Sequence, residues 1–157
     1  MGNNGTGIKF TSILMAAVFL ASFFISAQEE VVVKGKVVYS KSMVDANLKT
    51  IKDIVKDGNK MGGGTREVQS SQIYGFIYQM NYFANYAEIE KVTGYSRDWF
   101  SAMKKTLEEM WIPKSKMETA VLNKNEKIVA QYEPVYKAAH KKFLDLLDHP
   151  QKAQKKK

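Results

Sequence analysis

The chain of 157 residues has no cysteine. That excludes disulfides, thiolate metal sites and a lipid anchor carried on cysteine, so packing alone must hold the fold. It has two histidines, His140 and His149. Serine, histidine and aspartate each occur, but nothing in the sequence places them together, and no enzyme is expected. Strand-forming sequence is also scarce. "VVVKGKVVYS" is β-branched and interrupted by Gly35, and no second run of comparable quality exists to pair with it. Residues 28–40 therefore read as an extended lead-in to the first helix. The alternatives are a short VVV-KGK-VVY hairpin or an arm that pairs with another chain.

Charge is missing from one long stretch. "MGNNGTGIKF" carries one lysine and no acid, and Phe10 to Ala27 then runs without a charge and ends in small residues before "QEE". Residues 1–27 read as a secretory signal peptide cut after Ala27, which predicts a periplasmic or secreted protein. An uncleaved N-terminal membrane anchor is the alternative, because such a run is just long enough to span a bilayer. Removing it leaves enough chain for one modest core.

The formal charge of +8 is unevenly spread. Four lysines fall in "QKAQKKK", residues 151–157, which read as a disordered tail. Of the 24 Lys and Arg, setting aside Lys9 and those four leaves 19 against 16 acids in the body. The tail suits weak attraction to an anionic membrane surface. With no basic stripe on the folded part, nucleic acid is not an expected partner.

Helical periodicity is plentiful. Met43, Val44, Leu48, Ile51, Ile54 and Val55 fall in one stripe of a first helix, about Lys41 to Asp57, with Ser42 and Asp45 as an N-cap pair and Gly58 as its stop. "GNKMGGGT" follows. Gly64 stands where a phosphate-binding loop requires lysine, and a helix precedes it, so it reads as a flexible loop. A second helix, about Glu67 to Thr93, is closed by Gly94. One face carries Ile73, Phe76, Ile77, Met80, Phe83, Ala84 and Ala87. Tyr74, Tyr78, Tyr82 and Tyr86 wind around the other side in "QIYGFIYQMNYFANYAEI". The first reading of this ladder is packing against neighbours on both sides. The second is a stacking or partner surface, with Gly75 letting another backbone come close.

A third helix starts at an N-cap Ser96 and ends at Pro113, with Trp99, Phe100, Met103, Leu107, Met110 and Trp111 on its stripe. A fourth opens with the capping-box pattern of Ser115 to Glu118 and runs through Pro134 to near His149. Four amphipathic helices with short connections over residues 41–150 predict an all-α, antiparallel four-helix bundle. A di-iron centre in such a bundle needs Glu-x-x-His on two helices. Lys137 and Leu146 stand where those glutamates would be.

His140 lies at the edge of the fourth stripe, in "YKAAHKKF". This stretch resembles the last-helix region of the periplasmic four-helix cytochromes, the soluble b-type cytochrome and cytochrome c-prime. "YSKSMVDANLKTIKDIVKDGN", Tyr39 to Asn59, is similar to their first helix. The resemblance implies electron transfer by a haem, with His140 as the proximal iron ligand and Met43 as the second axial ligand. Tyr136 and Ala139 occupy the cysteine positions of Cys-x-x-Cys-His, so covalent attachment is excluded and only non-covalent haem b remains. The alternative is a haem-free binding or adaptor module of the cell envelope. It would use the tyrosine-rich helix, the N-terminal arm or the basic tail to meet an envelope protein, an anionic membrane surface or a second copy of the chain.

Overall fold

The computed structural model describes residues 32–33, 36–61 and 64–154. The expected signal peptide and the last three lysines lie outside the described residues. The chain divides into two compact units, Met1–Val38 and Tyr39–Lys157. In the first, β1 (Val32–Val33) pairs antiparallel with β2 (Lys36–Val37), in the register Val32 to Val37. This pairing is the short hairpin that the sequence offered as the alternative to a plain extended lead-in.

The second unit is helical: α1 (Lys41–Asp57), α2 (Ser70–Asn85), the short α3 (Ile89–Thr93), α4 (Arg97–Leu122) and α5 (Glu126–Asp148). All-α is the right class for it. In the connection after α1, read from sequence as a flexible loop, β3 (Asn59–Met61) pairs antiparallel with β4 (Gly64–Arg66).

The hydrophobic stripes become the core. Val44, Leu48, Ile51 and Val55 of α1 join Ile73, Phe76, Met80 and Phe83 of α2. Trp99, Phe100, Met103, Leu107 and Met110 of α4 and Phe143 of α5 complete it. Three sets of contacts set the helix directions. Phe83 meets Phe100 while Tyr74 meets Trp111 and Ser70 meets Glu118, so α2 descends as α4 climbs. Trp99 bonds Leu146 and Glu109 pairs with Lys142, which opposes α4 to α5. His140 reaches Val55 and Asp148 reaches Lys52, which opposes α5 to α1.

Helix ends depart from the sequence reading where tertiary contacts compete with local signals. Ser40, not Ser42, caps α1, accepting from the Met43 N–H at 3.2 Å. Gly58 at φ +74° stops it as expected. The second helix does not run unbroken to Thr93. Tyr86 turns extended, with its ring edge-on to Tyr39 at 5.2 Å, and Arg97 donates to the Ala87 carbonyl at 3.0 Å. Gly94 at φ +75° then closes α3.

The largest difference concerns Pro113. It lies buried inside α4, which continues to Leu122, whereas the sequence reading stopped there. A proline deprives the carbonyl four residues back of its partner but does not forbid the helix when both flanks are packed. Here Trp111 on one side and Glu118 on the other are both held against α2. The chain breaks instead at Asn123–Asn125. Lys124 takes φ +53°, the Asn125 N–H returns to the Ala120 carbonyl at 2.8 Å, and the Asn125 side chain accepts from Ile128 N–H at 3.3 Å. Ser115 is therefore no cap. Ser115→Ala should change stability by less than about 0.5 kcal/mol, while Asn125→Ala should cost about 1 kcal/mol. Paired urea titrations check this, and equal effects would return the helix boundary to Ser115.

The segment after α5 is not wholly a disordered tail. Ser96 donates to the Gln151 carbonyl at 2.8 Å, and Ala153 donates to that of Gly94 at 2.9 Å. Gln151 to Ala153 thus dock on the entry to α4.

Candidate functional site

Met43 and His140 are not brought together. The His140 Nε2 lies 2.8 Å from the Val55 carbonyl oxygen. A carbonyl can only accept, so Nε2 carries the proton and donates. Val55 is in the last turn of α1, where carbonyls lack helical partners, and the imidazole satisfies one of them. Met43 sits at the other end of α1, so the stretch from Met43 to Val55 separates the two side chains by about 18 Å of helix. The Tyr136 ring stands 5.7 Å from the His140 ring, centroid to centroid. A His/Met haem needs Nε2 or Nδ1 free toward a shared cavity with methionine opposite, and these residues do not fit that arrangement. Among the described residues, no group of three or more His, Asp or Glu stands close enough to hold a metal ion.

What surrounds His140 is a polar seam. Lys114 is buried, yet its ammonium reaches the exposed Glu67 carboxylate at 2.9 Å and lies over the Tyr136 ring at 5.4 Å. The Lys114 hydrogen bond holds the Glu67 carboxyl below the usual carboxylate range. Glu118 accepts from the Ser70 N–H at 3.0 Å and also from the Ser70 hydroxyl. Lys114 belongs to the stripe of Leu107 and Met110. Ending the helix at Pro113 hid a signal that continuing the same period would have exposed.

Burial pushes the Tyr136 phenol up to about 12, with the Glu67 and Glu118 carboxylates adding to the effect. Its folded value lies above the unfolded one, so this contribution to stability is complete below pH 10 and lost as pH rises from about 10 to about 12. The ring is partly exposed, and screening reduces the loss to about 1 kcal/mol. Tyr136→Phe should abolish that increment. Urea titrations at pH 9 and near pH 11.5 check it, and identical alkaline losses in both proteins would assign the effect elsewhere.

A shallow groove of about 330 Å³ lies between the end of α4 and the start of α5, lined by Lys116, Ala120, Asn125, Ile128 and Tyr132. Across it the Lys116 ammonium donates to the Tyr132 hydroxyl at 2.8 Å.

The tyrosine ladder is the most distinctive surface. Tyr86 leaves it to pack on Tyr39. Tyr74, Tyr78 and Tyr82 remain on the helix and are 44, 52 and 63% exposed. The expectation of packing on both sides of α2 is thus met only in part: Tyr74 touches a neighbouring helix, and Tyr78 and Tyr82 face outward. Tyr74 and Tyr78 meet edge to face at 5.0 Å, with their hydroxyls 3.1 Å apart. That hydrogen bond raises the Tyr74 phenol above its ordinary value. Trp111 of α4 lies 5.4 Å from Tyr74 and extends the aromatic strip across the helix pair. From Ser70 to Asn85, α2 has no charged residue, whereas α1, α4 and α5 all carry both signs. The remaining exposed positions of α2 are Ser71, Gly75 and Asn85.

Compared with known proteins, the chain matches no protein family, no curated protein and no solved structure.

Proposed function

We propose that this chain is an exported, haem-free binding module of the cell envelope that recognises a protein partner through the outer face of α2. The observation that carries this reading is the exposed strip of Tyr74, Tyr78 and Tyr82 on a helix without charge, continued by the partly buried Trp111 of α4. Charge is depleted and tyrosine and tryptophan are enriched at the centres of protein interfaces. Tyrosine beside serine, glycine and asparagine is also the composition of engineered and natural paratopes, where rigid rings supply area and small polar groups supply adaptable hydrogen bonds. The scaffold we propose is an antiparallel four-helix bundle, supported by the three opposed helix pairs. Export rests on the uncharged run from Phe10 to Ala27, and intact mass of the exported protein should begin at Gln28.

The test is a photo-crosslinking amino acid placed at Tyr78 or Tyr82 in the producing cell, with Thr50 on the exposed face of α1 as the control. Covalent adducts are expected from the two tyrosine positions and not from Thr50. No adduct from either position would overturn the reading. Tyr78→Ala should cost less than about 1 kcal/mol because the ring is half exposed, so its effects on binding will not reflect unfolding. Haem uptake separates this reading from the cytochrome-like one. Protein mixed with haemin should develop no sharp b-type bands, and bands lost on His140→Ala would restore His140 and Met43 as ligands.

A further inference from the structure

We infer that the partner of the α2 face is a second copy of this chain, joined across a two-fold axis that passes near Gly75. This rests on the reading of that face as a binding surface, and three observations carry it further.

The first is Gly75 itself. It lies in the middle of a regular helix, where glycine is the least favourable residue after proline. Its backbone is ordinary α-helix, so no positive φ requires it. A Cβ built there would meet nothing within 4 Å. Nothing among the described residues therefore explains the missing side chain. A helix from outside, seated against the bare backbone, does explain it, as small residues do wherever two helices approach closely.

The second is the chemistry of the face. Under two-fold symmetry every group meets its own kind or its symmetry mate, so the surface must be its own complement. A carboxylate or ammonium near the axis would face a like charge. Hydroxyls and amides each donate and accept, so they can pair with copies of themselves. Ser71, Tyr74, Tyr78, Tyr82 and Asn85 are all of this kind, and the contact between the Tyr74 and Tyr78 hydroxyls displays such a pairing within one protomer.

The third is net charge. Two copies of the mature chain, which keeps 23 of the 24 Lys and Arg against 16 acids once Lys9 leaves with the signal peptide, repel each other. The α2 face is where the two can touch without burying any charged side chain, because the other three long helices carry both lysines and acids. A distinct anionic partner would select those lysine-bearing faces instead.

A single helix of this length offers a narrow strip, about 24 Å long, so the dimer should be weak and readily reversible. Sedimentation velocity on the exported protein, from about 1 µM to about 300 µM, brackets the expected affinity. The wild type should pass from monomer to dimer across that range. Tyr78→Lys should weaken association at least about tenfold by placing two ammonium groups at the axis. Gly75→Gln should do the same by bulk, and Thr50→Lys on α1 should have no effect. Gly75→Ala supplies the readout that a structural role would not give. At concentrations below dimerisation its melting temperature should rise by about 4 °C, because the helix gains and nothing clashes. The same variant should weaken the dimer. A wild type that stays monomeric throughout, or a dimer indifferent to both Tyr78→Lys and Gly75→Gln, would overturn the inference. If that wild type nonetheless crosslinks from Tyr78 to a protein of another mass, the binding face stands and only the second copy is wrong.

Discussion

Replacing Trp99 by alanine should destabilise the domain by about 4–5 kcal/mol, the largest effect expected of any single change outside the glycines and prolines. The indole is 1% exposed and packs against Phe100 at 5.1 Å and Tyr95 at 5.0 Å. Its removal leaves a large cavity where α4 begins. It also removes a donor, because Trp99 Nε1–H bonds the Leu146 carbonyl at 2.8 Å. In a continuing helix that carbonyl would accept from residue 150, which is Pro150 and has no N–H. The indole supplies what the proline withholds. Trp99→Phe should therefore keep most of the packing yet still cost about 1–2 kcal/mol for the unpaired carbonyl. Domains of this size have about 5–15 kcal/mol in total, so Trp99→Ala should be folded only marginally. Urea titration followed by far-ultraviolet circular dichroism measures both values. A cost for Trp99→Ala below about 2 kcal/mol would mean that the site collapses around the lost ring.

That pairing of Trp99 with the α5 terminus was out of reach of a sequence reading, while the stripe that buries Trp99 was plain in it. The difference is one of range. Val44, Leu48, Ile51 and Val55, or Phe100, Met103, Leu107 and Met110, repeat at the period of the helix, and burial of that face is decided by the helix alone. Ser96 accepting from Trp99 N–H at 3.1 Å is equally local and was equally legible. Pro113 and Asn125 went the other way, because a proline's effect on a helix depends on what packs against its two flanks. "NKNE" carried the missed signal: an asparagine that could cap, next to a lysine that had to accept a left-handed turn.

The candidate site was half legible. The four tyrosines were visible as a ladder, and the absence of charge among them could be counted. Which neighbours they lacked could not, since exposure is a property of the other helices. His140 and Met43 fail for the same reason in reverse. Similarity to a first and a last helix says which side chains exist but not how far the two helices slide past each other. The contact of His140 with Val55 sets that slide and leaves Met43 at the far end.

Glu118→Ala should be the second most damaging of the changes considered, at about 2–3 kcal/mol, and its damage should be local to the tyrosine-bearing face of α2. The carboxylate accepts from the Ser70 N–H at 3.0 Å and from the Ser70 hydroxyl, so it acts as a cap delivered from another helix. Ser70 is the first residue of α2, where N–H groups lack helical partners and the helix dipole favours an anion. Bonds to a charged acceptor are stronger than neutral ones, and losing this one also leaves a half-buried donor unpaired. Glu118→Gln keeps an acceptor without the charge and should recover about half of the loss. Tyr74, which packs against Trp111, follows directly on the first turn of α2, so fraying there should loosen the aromatic strip before the core melts. Hydrogen exchange over residues 70–75 should accelerate at least about tenfold in Glu118→Ala, corresponding to the loss of about 1.4 kcal/mol or more of local protection. Unchanged exchange in that turn would mean that α2 is held by its apolar face alone, and that the carboxylate has no part in presenting the tyrosines.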